Sequence, residues 1–134
     1  MALVNPTETP VVLVIEDDAD TRTAIGEYIA TLFPNARVVV TESAESGLEL
    51  AFRTHPTVVL LDLRLRGIGG FEFAERLQRT GVQNCAIVAL TGDMSADTLL
   101  RAETAGFQAF LRKPADMDRL EAVLRPFLEP EGGR

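Results

Sequence analysis

Five polar residues stand where apolar runs of the sequence give out. Glu16 and Asp17 follow Val11–Ile15, Asp62 follows residues 57–61, Thr91 follows residues 85–90, and Lys113 lies just beyond residues 108–111. The separations are 45 residues from Asp17 to Asp62, 29 from Asp62 to Thr91 and 22 from Thr91 to Lys113. Three carboxylates brought together repel one another, and an all-oxygen donor set with room for water selects a hard divalent cation such as Mg²⁺. A lysine and a hydroxyl aimed at the same place make sense if an anion joins the metal, with Lys113 as a point charge and Thr91 as a donor to phosphoryl oxygens. A carboxylate in that setting can itself attack phosphorus to give an aspartyl phosphate, which makes Asp62 the candidate nucleophile. Taken one at a time, each residue is ordinary: an acid opening a solvated loop, a loop cap, an exposed lysine. Convergence is what would give them chemistry.

The elements that must bring them together are legible in the hydrophobic period. Val11–Ile15 is β-branched and uniformly apolar, a buried strand. From Asp20 the period changes, and Ala24, Ile25, Tyr28, Ile29 and Leu32 mark a helix that Pro34 stops. Residues 38–40 read as a short strand, and Ser43 caps a helix with an Ala44, Gly47, Leu48, Ala51 stripe. Residues 57–61 form the third strand, and the turn with Gly67, Gly69 and Gly70 leads to a helix carrying Phe71, Ala74 and Leu77, closed by Gly81. Residues 85–90 form the fourth strand, with Ser95 capping a helix over 96–105 that Gly106 ends. The fifth strand is 108–111, and the last helix runs from Asp116 with Met117, Leu120, Val123, Leu124 and Phe127 inward. Pro126 is expected to kink or end that helix near Arg125. Strands this apolar have no wet face, so the alternation predicts a doubly wound α/β fold with a five-stranded parallel sheet. Ligands of such sheets bind beyond the carboxyl ends of the strands, where the five polar residues stand.

Composition narrows the function classes. The 134 residues make one domain, 46% hydrophobic and 25% charged, and the formal charge of −7 repels nucleic-acid phosphates. Direct binding to nucleic acid is not expected. Cys85 is the single cysteine and sits in an apolar run, so no internal disulfide is possible and a reducing, cytoplasmic setting is expected. No apolar stretch reaches the roughly 20 residues that span a bilayer, and no membrane association is expected. His55 beside Pro56 reads as a surface or capping residue, and the three glycines lack the lysine and hydroxyl of a phosphate-binding loop.

The segments VVLVIEDDAD, TVVLLDLRLRGIGGFEF, IVALTGD and AGFQAFLRKPADMDRL, in this order, closely resemble the receiver domain of two-component response regulators, of the single-domain chemotaxis type, over about residues 10–128. The resemblance implies a flavodoxin-like strand order 2-1-3-4-5 with five helices, a receiver over 11–128, an N-terminal leader over 1–10 and a tail or linker start over 129–134. It implies that Glu16, Asp17, Asp62 and the backbone carbonyl of Arg64 hold Mg²⁺ and that Asp62 is the phosphoacceptor. Thr91 would be the switch hydroxyl, Lys113 the phosphoryl-contacting lysine, Phe110 the aromatic that follows phosphorylation, and Lys113-Pro114 a cis peptide. The phosphodonor would be a sensor histidine kinase or phosphotransfer protein. The signal would pass through the face of the fourth helix, fifth strand and fifth helix to a downstream protein or a fused output domain, with a phosphorylation-dependent homodimer as one outcome.

Departures from the pattern are informative. Arg66 replaces the proline usual four residues after the phosphoacceptor, and Gly69 stands where an acid is common. Arg64 and Asp93 occupy the two positions that tune water access to the acyl phosphate, and they are expected to pair across the mouth of the site. A haloacid dehalogenase type of phosphatase also uses an aspartyl nucleophile, but it needs a second acid two residues later, where this chain has Arg64. A pseudo-receiver that binds partners without phosphorylation is the other alternative.

Overall fold

The computed structural model describes residues 9–129, so most of the expected leader and all but the first residue of the expected tail lie outside the described residues. Ten elements alternate: β1 (Val11–Ile15), α1 (Ala19–Leu32), β2 (Arg37–Thr41), α2 (Ala44–Thr54), β3 (Val58–Asp62), α3 (Gly70–Arg79), β4 (Ala86–Thr91), α4 (Ala96–Thr104), β5 (Ala109–Arg112) and α5 (Met117–Leu128). The strands form one sheet in the order β2-β1-β3-β4-β5, every pair parallel. The expected doubly wound fold and its strand order are what the structure has.

Every residue of β1, β3 and β4 is buried, which explains their unbroken apolar runs. Alternate side chains enter two separate cores. Val12, Val14, Val58, Leu60, Val88 and Leu90 pack under Ile25 and Ile29 of α1 and Leu120 and Leu124 of α5. Leu13, Ile15, Val59, Leu61, Ile87 and Ala89 pack on the other face with Ala51 of α2, Phe73 of α3 and Ala102 of α4.

Four of the five helices start on a side-chain cap. Asp18, Ser43, Ser95 and Asp116 each accept the backbone N–H of the residue three further on. The α1 cap is Asp18, so the helix begins at Ala19 rather than Asp20. β3 and β4 extend one residue past the expected apolar runs and take in Asp62 and Thr91, because ladder hydrogen bonds reach beyond the last apolar side chain. His55 closes α2 in the left-handed conformation (φ 49°), donating its N–H to the Ala51 carbonyl. Of the two outcomes expected at Pro126, a kink or an end near Arg125, the end does not occur: α5 continues through it to Leu128. A proline there forfeits one hydrogen bond in the last turn, while continuation buries Leu128 in the first core and lets the Glu129 N–H reach the Arg125 carbonyl at 2.8 Å.

Gly47 is where α2 comes closest to the sheet. A Cβ placed there would lie 2.4 Å from Ile15 Cδ1 and 3.3 Å from the Phe73 ring. Gly47→Val should therefore destabilise the fold by about 1–3 kcal/mol, read as a lower urea midpoint at unchanged slope. Burial pushes the Cys85 thiol from its ordinary 9.0 up to about 11. The folded chain holds the thiol proton that the unfolded chain releases, so this group's contribution to stability is lost as pH rises between those values. At pH 9, native Cys85 should react with iodoacetamide at least about tenfold more slowly than in denaturant.

Candidate functional site

The acidic pair is set by the end of β1. Glu16 still bonds to the sheet, its N–H donating to the Thr41 carbonyl at 3.0 Å, and the chain then turns sharply into α1. Two contacts hold that turn: the Asp18 N–H donates to Glu16 Oε2 at 3.1 Å, and Arg22 Nη1 donates to the carbonyl oxygens of Glu16 (2.9 Å) and Asp17 (3.5 Å). Next to β1, β3 ends in Asp62, whose Oδ1 accepts the Arg64 backbone N–H at 3.0 Å.

The two strand ends bring carboxylate oxygens of Glu16, Asp17 and Asp62 within 4.8 Å of one another. Glu16 is fully buried and Asp62 is 3% exposed, whereas Asp17 is partly open. Lys113, just past β5, reaches back across the sheet edge. Its Nζ donates to Asp62 Oδ2 at 3.2 Å and lies 2.9 Å from Glu16 Oε1. That second contact is an ion pair, and Glu16 Oε1 has no other partner among the described residues. Burial holds the Glu16 carboxyl above its ordinary value, although Lys113 and the Asp18 N–H pull the other way. Burial by itself would lower the Lys113 ammonium, and the carboxylates of Glu16 and Asp62 outweigh it, leaving the ammonium above its ordinary value.

These residues fit a hard divalent cation. The donors are all oxygens, one of them is a buried carboxylate oxygen without a hydrogen bond, and Asp17 leaves an open side for water. A single lysine shared by two of three acids leaves negative charge that such an ion would neutralise.

The other expected residues sit around this cluster in different degrees. Thr91 is buried at the end of β4, but its hydroxyl belongs to its own turn, accepting the Asp93 N–H at 2.9 Å and lying 3.3 Å from the Asp93 carbonyl. Phe110 on β5 is half-buried against the second core. Lys113-Pro114 is cis. The expected Arg64–Asp93 ion pair is absent among the described residues. Asp93 instead accepts from Thr98 Oγ1 (2.7 Å) and the Ser95 N–H (3.0 Å), donors supplied locally by the cap of α4. Those bonds, with a minor contribution from the Arg64 charge, hold its carboxyl below the ordinary range.

Three contributors escaped the sequence reading. Asp18 carries a signal in hindsight, the cap pattern before Thr21, whereas Arg22 has none beyond its distance from the acids. Arg66 stood out as a departure, yet its contact with Asp17 spans 49 residues and no local pattern announces it.

Comparison with known proteins agrees with this geometry. The sequence model of the response regulator receiver domain matches residues 12–125. The chain is 32% identical over 119 residues to the transcriptional regulatory protein AfsQ1 of Streptomyces coelicolor, covering 89% of this chain and 51% of that protein. It spans about half or less of the curated relatives it matches. The signal receiver domain of the DNA-binding response regulator merR from Colwellia psychrerythraea 34H shares the fold with a TM-score of 0.83 at 27% identity, covering 90% of this chain and 98% of that one. The chemotaxis protein CheY4 of Vibrio cholerae gives 0.82 at 20% identity over 90% and 100% of the two chains, a likeness of fold. A family match over most of the chain, a shared five-stranded topology and acids gathered at the ends of β1 and β3 lead to one conclusion: the chain belongs to the response regulator receiver domain family.

Proposed function

We propose that the chain is a phosphoacceptor switch that takes a phosphoryl group from a phosphohistidine onto Asp62. One observation carries the reading: Lys113 Nζ stands between the buried carboxylates of Glu16 and Asp62, with Asp17 completing an acidic cluster open to one side. In the transfer, an Asp62 oxygen bonds to phosphorus as the phosphorus–nitrogen bond of the donor breaks. The donor ring, protonated at its other nitrogen, leaves as neutral imidazole. The Arg64 N–H holds Asp62 Oδ1, so the other carboxylate oxygen is the one that faces Lys113. Lys113 transfers its charge from that oxygen to the phosphoryl group, and Thr91 leaves its bond within the β4–α4 turn to donate to a phosphoryl oxygen. Glu16, Asp17, Asp62 and the Arg64 carbonyl would hold Mg²⁺, which when bound neutralises charge on the phosphoryl oxygens.

This is the chemistry of a signalling switch with self-catalysed phosphorylation and dephosphorylation rather than of a turnover enzyme. The donor would be a sensor histidine kinase or a phosphotransfer protein in the cytoplasm. A hollow of about 440 Å³ beside Lys113, lined by Ala24, Ile25, Tyr28 and Pro114 among others, offers such a partner a partly apolar seat. Movement of Thr91 and Phe110 would alter the face of α4, β5 and α5, which would act on a downstream protein, a fused output domain or a second copy. Arg64 and Asp93, flanking the approach of water, would each tune the lifetime of the acyl phosphate. Among the described residues no helix is long and apolar enough to cross a membrane.

Intact mass after incubation with Mg²⁺ and acetyl phosphate should rise by about 80 Da, and Asp62→Asn or removal of Mg²⁺ should abolish the gain. A folded chain that gains no mass and binds no beryllofluoride would instead be a scaffold of the pseudo-receiver kind. Lys113→Ala should slow the mass gain on the order of a hundredfold, since a charge aimed at the transferring group is lost.

A further inference from the structure

We propose that Arg66 is a built-in competitor for the divalent cation at Asp17 and so sets the metal affinity of the site. The inference rests on the reading of Glu16, Asp17 and Asp62 as the metal-holding set. Lys113 serves Glu16 and Asp62 and forms no ion pair with Asp17. Arg22 bonds to backbone carbonyls, not to the acids' side chains. The cation that reaches Asp17 is Arg66, whose backbone N–H donates to Asp17 Oδ2 at 3.3 Å and whose Nε lies 3.8 Å from the same oxygen.

The path of the loop puts it there. Leu65 is buried and pins the segment after β3 to the second core, and Gly67 then reverses the chain at φ +75°. A Cβ at Gly67 would lie 3.1 Å from Glu45 Oε2 in a conformation that L side chains rarely adopt, so the reversal requires glycine. Arg66 sits between these two anchors, facing the β1–α1 turn.

A guanidinium at Asp17 Oδ2 and a metal ion at the same carboxylate are alternatives, because both draw on one negative charge and repel each other. The Arg66 side chain is 94% exposed, against 22% for Asp17. An arginine so well solvated yields to a divalent ion, and its effect is therefore a few-fold weakening of affinity rather than exclusion. Among the described residues the three acids have Lys113 and Arg66, and no third cation, within 4.0 Å of their carboxylates.

The test is the dissociation constant for Mn²⁺, followed by electron paramagnetic resonance without phosphodonor, with Mg²⁺ measured by competition. Arg66→Ala should bind about three- to fivefold tighter at low ionic strength, and the gap should close as salt screens the exposed charge. Arg66→Lys keeps the charge on a long side chain and should stay close to the parent. Equal or weaker binding by Arg66→Ala, or Arg66→Lys as tight as Arg66→Ala, would overturn the role of Arg66 and leave the metal site standing. Failure of the parent and of Arg66→Ala alike to bind any divalent ion would overturn the metal-holding reading and the inference with it.

Discussion

The contact on which the site depends is the reach of Lys113 to two buried carboxylates on different strands. A fully buried Glu16 and a nearly buried Asp62 within 4.8 Å are unfavourable both by desolvation and by mutual repulsion. The ammonium offsets only part of that cost, because one lysine is shared by two carboxylates and a third acid stands beside them. The arrangement is thus strained toward further positive charge, and that excess of negative potential is what suits it to a divalent ion. Stability alone would not place such a group in a core of this kind.

The parallel sheet makes the contact possible. In a parallel ladder all strands end on the same edge, so three segments distant in sequence deliver polar residues to one place. β1 and β3 are neighbours in the sheet, which sets Glu16 beside Asp62, and Lys113 crosses from β5 over the end of β4. The two cores hold the strand ends rigid from both faces, and the Asp18 cap with the Arg22 clamp fixes the turn that carries the acid pair.

Around this rigid floor the rim is built from local bonds that can be exchanged. Thr91 is occupied by its own turn, Asp93 by the α4 cap and Asp17 by an exposed arginine. Each of these bonds is modest and each group can take another partner, whereas Glu16 and Asp62 cannot move without breaking the sheet edge. That division between a fixed acidic floor and exchangeable surroundings is what the proposed switch calls for, in which one added group must be felt by neighbouring elements.

Much of this was legible in the order of residues. Strand and helix alternation follows from hydrophobic period, the parallel sheet from strands with no polar face, and the clustering of Glu16, Asp17, Asp62 and Lys113 from the rule that such strands end together. The helix end expected at Pro126 does not occur because the proline rule is local: the penalty in a final turn is small, and continuation buries Leu128. The Arg64–Asp93 pair misled it for the opposite reason, since a contact inferred from position ignored the nearer donors Ser95 and Thr98. The sequence by itself determined which residues could meet, because hydrophobic pattern dictates where strands end. Only the tertiary structure decided which polar atoms are satisfied, which carboxylate is left to Arg66 and which hydroxyl faces its own turn, because those outcomes depend on competition among groups as distant in sequence as Glu16 and Lys113.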